Sequence, residues 1–271
     1  IKGEDDIDKL RKEEAEIFGG TERGEERSKV RIRIEKERSD IGDNIKSEID
    51  SFKGLEYLYY STFLLKLRQY FKPDVTQFLL NLSSHTQQAF LNGAASLWLA
   101  IYLGGFGTRA RRGGGNIEVL EFQGEKINEI KFICHANDKR ELKEFIKHNM
   151  DIVKNICQQG SGTQKYSILR GSKILIFESK NNWKEALNFL GENYKKFRED
   201  KKNLVFETAA FGMPVMHSGS KVRIVPYRRE DSGDSRLSDR WASPLIFKII
   251  KANNLYFPVI VKLSGGGVDF V

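Results

Sequence analysis

The chain has 271 residues, which is enough for one large domain or two ordinary ones, each with a buried core. Its 45 lysines and arginines outnumber 37 aspartates and glutamates, and the net charge of +8 favours polyanionic partners. Two cysteines, Cys134 and Cys157, exclude a disulfide framework and suit a reducing, cytoplasmic setting. No apolar run reaches transmembrane length, so we expect no membrane partner.

The opening third of the chain predicts one helix and two strands. A charged segment over residues 4–16 predicts a solvated helix. Residues 29–35 alternate between polar and apolar side chains, which predicts a half-buried strand whose inward side chains are Val30, Ile32 and Ile34. Residues 36–54 are polar and predict an insertion or mobile loop. The aromatic residues 55–60 predict a strand.

The next segments complete a unit. Residues 75–82 predict a strand, and residues 86–103 predict a helix with Trp98 on its core-facing stripe. Residues 117–122 predict a further strand. The order strand, strand, helix, glycine loop, strand is that of a β-α-β-β-α-β ferredoxin-like (RRM-like) domain that lacks its opening strand.

The second half repeats this mixed character. A long helix is predicted over residues 138–157 and another over residues 183–197. The predicted strands of this half are residues 173–177, a hairpin within 215–226, and a final pair at 245–250 and 256–263. We therefore predict an α+β protein with two ferredoxin-like domains side by side, at residues 1–122 and 123–271.

The loop at residues 104–115, called here the glycine–arginine loop, contains six of the 24 glycines and three arginines. Glycine lets another backbone approach closely, and guanidinium groups bind phosphate oxygens and stack on bases. The order helix, loop, strand excludes a P-loop and a dinucleotide fingerprint, so a polyanion backbone fits better than one nucleotide. The alternative is a solvated linker with incidental arginines. If the loop binds phosphates, its arginines are exposed. Replacing Arg111 and Arg112 together is then expected to leave the stability of the protein almost unchanged.

The sequence contains no recognisable catalytic or metal-binding motif. The histidines His85, His135, His148 and His217 are scattered, and no cysteine–histidine spacing suits zinc. We therefore predict no metal and no cofactor. An acid–base ribonuclease would need a histidine or lysine near a ribose hydroxyl, for which His85, His217 and Lys2 are candidates without preferred spacing.

Three segments together resemble a known family. Residues 103–113 resemble the Gly-Gly-x-Gly-x-Arg-x-Arg-Arg-Gly loop of the RAMP superfamily of CRISPR-Cas subunits. Residues 13–19, with Ser-Lys-Val at 28–30, and residues 240–245, with Phe-Gly-Met-Pro at 211–214, resemble the first-numbered subunit of the Cmr complex. That complex is the type III-B CRISPR effector ribonucleoprotein.

The resemblance implies a non-catalytic subunit that helps hold the 3′ portion of a guide RNA (crRNA) and target RNA in antiviral defence, with other Cmr subunits as partners. Family members run from a strand through Ile-Lys-Gly into an aromatic, basic helix, whereas Ile1-Lys2-Gly3 passes here into acidic residues. We therefore expect that strand and helix to be missing from this sequence. The family pattern also continues beyond residues 265–267.

The predicted RNA-binding residues come from the loop and from two further positions. They are Gly104, Gly105, Gly107, Thr108, Arg109, Arg111, Arg112, Lys2 and Arg240. Arg240 is expected near the RNA path, Trp241 is expected to be at least half buried, and Pro244 is expected at the start of a strand. Two alternatives remain open: a metal-independent RAMP endoribonuclease that processes repeat RNA, and a protein-interaction module whose basic loop is incidental.

Overall fold

A computed structural model describes residues 7–21, 27–63, 69–124, 127, 129–157, 168–201, 203–204, 210–212, 215–216, 223–224, 227–229, 235–237 and 242–265. Its helices are α1 (Ile7–Phe18), α2 (Ile45–Ile49), α3 (Lys53–Phe63), α4 (Gln87–Tyr102), α5 (Lys139–Cys157) and α6 (Trp183–Asp200). Its strands are β1 (Val30–Arg38), β2 (Ile41–Gly42), β3 (Tyr70–Phe71), β4 (Gln77–Ser84), β5 (Ile168–Ile176), β6 (Val215–Met216), β7 (Arg223–Ile224), β8 (Tyr227–Arg229), β9 (Ser235–Leu237), β10 (Leu245–Ala252) and β11 (Leu255–Ser264).

The largest sheet among the described residues has three antiparallel strands in the order β10-β11-β5. β1 pairs with β4, and the short strands form the pairs β2-β3, β6-β7 and β8-β9. The predicted α+β class is confirmed. The finer assignment of two ferredoxin-like domains, divided after residue 122, stays a prediction.

β10 contributes side chains to both hydrophobic clusters of the interior. Its odd-numbered residues Phe247 and Ile249 belong to one buried cluster, and its even-numbered residues Ile250 and Ala252 belong to another. Since successive side chains of a strand point to opposite faces, β10 is covered on both sides. The even face packs against α4 and α5, and the odd face packs against α3 and α6.

The even-face cluster contains the fully buried Trp98, whose indole Nε1 donates to the carbonyl of Lys131 at 3.1 Å. This confirms that Trp98 is a core residue. The odd-face cluster depends on a close crossing of α3 and α6, where Gly54 and Gly191 bring the two backbones together. The N–H of Gly54 donates there to the Asn188 side chain at 2.8 Å. A side chain at either glycine would overlap the opposite backbone.

Two predictions for the segment before residue 63 were wrong. Residues 36–54, expected to form an insertion or mobile loop, are not a loop: they contain the end of β1, β2 and α2, and Ile49 is fully buried. Residues 55–60, expected to form a strand, lie in α3. The buried residues Leu55, Leu58 and Tyr59 follow a spacing of three and four, which is a helical stripe.

The inward face assigned to the strand at residues 29–35 was also wrong beyond its first residue. Val30 is buried, whereas Ile32 and Ile34 are 54% and 62% exposed. Val30 packs against α4 at Gly93. Alternation in the sequence marks which side chains share a face, but it does not show how far along the strand a helix covers that face.

The remaining elements follow the sequence closely. The helices near 4–16, 86–103, 138–157 and 183–197, the strands near 75–82 and 173–177, the hairpin within 215–226 and the final strand pair are all present. The strand predicted at 117–122 was wrong, because those residues have no regular secondary structure. None of the helices in the described part of the chain is long and apolar enough to span a membrane.

Candidate nucleic-acid interface

The glycine–arginine loop begins where α4 ends and then folds back on itself. The N–H groups of Leu103 and Gly104 both donate to the carbonyl of Leu99, which closes the helix. Within the loop, Phe106 N donates to Gly115 O at 3.2 Å, and Gly114 N donates to Arg109 O at 3.0 Å. These bonds make the loop an ordered substructure.

Two glycines show why the loop needs residues without a side chain. Gly113 has a φ of +82°, and a Cβ there would overlap the side chain of Leu187 on α6. Gly107 has a φ of +70°, but a Cβ there would meet open space. Gly113 is therefore required by backbone conformation and by packing, whereas Gly107 is required by conformation alone.

Main-chain and side-chain bonds join the loop to β10. The N–H of Phe247 donates to the carbonyl of Arg111 at 3.2 Å, and Arg112 forms a parallel bridge with Phe247. Asn116, just after the loop, accepts from Ile249 N at 3.3 Å and donates to Gly113 O at 2.8 Å. The loop thus continues the β10 edge of the sheet.

Lys248 lies beneath the loop and is only 1% exposed. Its Nζ donates to the carbonyl of Gly104 at 3.0 Å and to Oδ1 of Asn116 at 3.2 Å. Burial lowers the pKa of Lys248 to about 7, because an interior of low dielectric disfavours the ammonium form. Among the described residues, burial alone accounts for the lowered pKa of this amine.

Arg111 and Arg112 point into the junction between the loop and the second half of the chain. Nη1 of Arg111 donates to the carbonyl of Ser243, and burial, followed by the neighbouring Arg112, lowers the pKa of Arg111. The guanidinium of Arg112 lies 5.0 Å from the ring centroid of Tyr194 and 5.4 Å from that of Phe247. All three arginines of the loop are half-buried, so the premise of exposed loop arginines was wrong.

Arg109 is half-buried as well, with its Nε and Nη2 atoms buried, but it lies beside exposed neighbours. The guanidinium of Arg109 lies 5.4 Å from the ring centroid of Tyr60 on α3, and Tyr60 is 60% exposed. Phe106 is 37% exposed, and Gly107 and Thr108 are also exposed. We call Tyr60 together with residues 106–109 the Tyr60–loop face. It places two exposed aromatic rings next to a half-buried guanidinium group and an open stretch of backbone.

The other predicted positions are distributed as follows. Gly104 and Gly105 lie at the half-buried base of the loop. Lys2, Arg240 and Trp241 lie outside the described residues. Pro244 immediately precedes β10, as predicted. The structure therefore brings the exposed residues Phe106, Gly107 and Thr108 together on one surface beside the half-buried Arg109. It directs Arg111 and Arg112 elsewhere.

Sequence reasoning missed three residues of this region, namely Tyr60, Asn116 and Lys248. A signal existed for Lys248, because a lysine in the middle of the apolar run 245–252 is unusual and a fully buried lysine needs polar partners. No local signal marks Tyr60 or Asn116, since their contacts join positions far apart in the chain. In the described ranges, no three His, Cys, Asp or Glu side chains are grouped so as to hold a metal ion.

Comparison with known proteins gives two curated relatives, and no family model matches the chain. The chain is 29% identical over 269 residues to the CRISPR system Cmr subunit Cmr1-1 of Pyrococcus furiosus, covering 95% of this chain and 73% of that protein. It is 33% identical over 134 residues to the Cmr1-2 subunit of the same organism, covering 42% of this chain and 69% of that protein.

Two solved structures share the fold. The crystal structure of Cmr1 from Pyrococcus furiosus in its apo form aligns with a TM-score of 0.70 and 24% identity, covering 99% of this chain and 75% of that one. A chain in the cryo-EM structure of the type III-B Cmr-beta bound to cognate target RNA aligns with a TM-score of 0.51 and 17% identity, covering 96% and 82%. At these identities the two structures establish the fold alone.

Proposed function

The chain belongs to the Cmr1 family of CRISPR Cmr subunits, and from that premise we propose that it is a non-catalytic, RNA-binding subunit of a type III-B CRISPR ribonucleoprotein. In this role it helps to hold the 3′ portion of the guide RNA and the target RNA in antiviral defence. Its partners are these RNAs and the other Cmr subunits. The resemblance noted in the sequence is confirmed at the level of the family.

The Tyr60–loop face is the observation that carries RNA binding. Proteins that hold single-stranded RNA combine aromatic rings, on which bases stack, with cationic groups that follow the backbone. Tyr60 and Phe106 supply exposed rings from two elements that are far apart in sequence. Arg109 supplies a permanent positive charge next to the ring of Tyr60. The open space at Gly107 lets a phosphate approach main-chain N–H groups without meeting a Cβ.

The charge of the chain supports the same proposal. A surplus of eight positive charges strengthens attraction to any polyanion and makes that attraction depend on salt. This attraction acts on the phosphate backbone of the RNA and does not depend on its base sequence. It therefore suits a subunit that must accept guides of any sequence. Base pairing between guide and target would supply the specificity.

A salt series with labelled single-stranded RNA tests this proposal. The full chain should bind by fluorescence anisotropy, with an affinity that falls linearly in logarithmic salt concentration. Arg109→Gln should lower the magnitude of that slope by about 0.7, the value for one phosphate contact to a single strand. The matched control is Arg140→Gln, which removes an arginine that is 83% exposed on α5.

RNA integrity in the same samples tests the non-catalytic part. Incubation in chelator should leave the RNA intact, because binding through the Tyr60–loop face requires no proton transfer. Specific cleavage in chelator would support the endoribonuclease alternative and overturn this assignment. Equal slopes for the wild type, Arg109→Gln and Arg140→Gln would remove the loop from the RNA interface.

A further inference from the structure

Lys248 occupies an unusual position for a lysine in the fold. β10 is covered on both faces, and Lys248 is the residue of its even face that carries an amine among apolar neighbours. Two oxygen acceptors satisfy this amine, and both belong to the segment around the glycine–arginine loop. Burying a polar group costs free energy unless it is hydrogen-bonded. The hydrogen-bond partners of Lys248 therefore indicate which part of the fold this lysine holds in place.

The two acceptors lie on opposite sides of the loop. Gly104 is the first residue of the loop and Asn116 follows its last residue, so one amine joins the two ends of the loop. Asn116 extends this arrangement, because its Nδ2 donates to Gly113 O and its Oδ1 also accepts from Ile249 N. The loop's two ends and β10 thus share one hydrogen-bond network.

We propose that Lys248 is a positioning residue for RNA binding: it clamps the two ends of the glycine–arginine loop and thereby sets the orientation of the Tyr60–loop face. Lys248 lies beneath the loop and does not itself contact RNA. This inference rests on the proposed function for its RNA part, whereas the clamp itself is a property of the free protein. The two parts are therefore measured separately.

Hydrogen exchange measures the clamp. Lys248→Met keeps an unbranched apolar stem and removes every donor, and Lys262→Met makes the same change at an exposed site on β11. Peptides covering residues 104–116 should exchange faster in Lys248→Met, because the bonds at Phe106, Arg112 and Gly114 lose their anchor. Peptides from α5 and from the β10–β11 pair should keep their protection. The control should match the wild type throughout.

RNA binding measures the consequence. Lys248→Met should weaken single-stranded RNA binding by about two- to thirtyfold. This is the range of affinity changes expected when a substituted residue does not contact the ligand itself. It should also reduce the salt slope as Arg109→Gln does, while Lys262→Met does neither. If the wild type does not bind RNA, the proposed function fails while the exchange experiment still decides whether Lys248 clamps the loop.

A second variant addresses folding. Asn116→Ala leaves Lys248 in place and removes the amide that bridges it to Gly113, so it should loosen the same peptides. Unchanged loop exchange in both variants would overturn the clamp. Global unfolding of both variants, with Lys262→Met folded, would assign Lys248 to the core as a whole and would also overturn the proposal.

Discussion

The main-chain N–H of Phe247 donates to the carbonyl of Arg111, so a loop from the first half of the chain is paired with a strand from the second half. The residues involved are more than a hundred positions apart. This pairing turns the following residue, Arg112, toward the rings of Tyr194 and Phe247. The glycine–arginine loop therefore contributes to the fold on one side and to the candidate RNA interface on the other.

Arg112→Met should destabilise the protein. A guanidinium held between two rings contributes about 1–2 kcal/mol through cation–π attraction, and the substitution removes that contribution. Urea unfolding monitored by circular dichroism measures the loss. Arg140→Met, at an exposed position, should change the free energy of unfolding by less than about 0.5 kcal/mol. Equal stability of the two variants would contradict the packed role of Arg112.

Tyr60→Ala should weaken single-stranded RNA binding without unfolding the chain. Removing a ring on which one base stacks costs about 1–3 kcal/mol, and Tyr60 is exposed, so little core packing is lost. Tyr60→Phe is the matched control, because it keeps the ring that lies near Arg109. Anisotropy titrations at one fixed salt concentration compare the variants. Equal losses in Tyr60→Phe and Tyr60→Ala would indicate that the hydroxyl, and not the ring, contacts RNA.

Gly113→Ala should destabilise the protein more than Gly107→Ala does. Both positions have positive φ, so each alanine carries about 1–2 kcal/mol of left-handed strain. The added methyl group overlaps Leu187 only at Gly113, which adds about 1–3 kcal/mol of overpacking. Thermal melts of the two variants measure this difference directly. Indistinguishable melting temperatures would mean that α6 moves aside at no cost.

Periodicity predicted the parts of the fold that depend on local spacing. The helical stripe containing Trp98 on α4 and the apolar runs of β10 and β11 could be predicted, because the spacing of apolar residues within each segment indicates its secondary structure. The aromatic run at 55–60 was misread, since a short apolar segment fits a strand or a helix until its packing against α6 is known.

The candidate site was predicted only in part for a similar reason. Composition indicated that residues 104–115 matter, but it treated the three arginines as equivalent. Their separation comes from contacts with Ser243, Phe247 and Tyr60, none of which lies near the loop in sequence. Such long-range contacts determine which partner each arginine packs against, and no local pattern encodes them.

Lys248 should make stability depend on pH in a defined direction. Its folded-state pKa of about 7 lies below the ordinary value of 10.5, so between these values the unfolded chain binds a proton that the native chain has lost. Stability therefore rises with pH across that window, by up to ~1.4 kcal/mol per pH unit, and is lowest where both states are protonated. Urea unfolding at pH 6, 7, 8 and 9 measures this trend, with Lys248→Met as the reference.

The difference in unfolding free energy between the wild type and Lys248→Met isolates the lysine. Burial also raises the pKa of Cys134 and of Tyr102, but both proteins contain these groups and their contributions cancel. The difference should be flat below about pH 6 and should then shift in favour of the wild type as pH increases. A difference that stays constant from pH 6 to 9 would show that the amine keeps its proton in the native state. Its bonds to Gly104 and Asn116 would then be charge-assisted throughout.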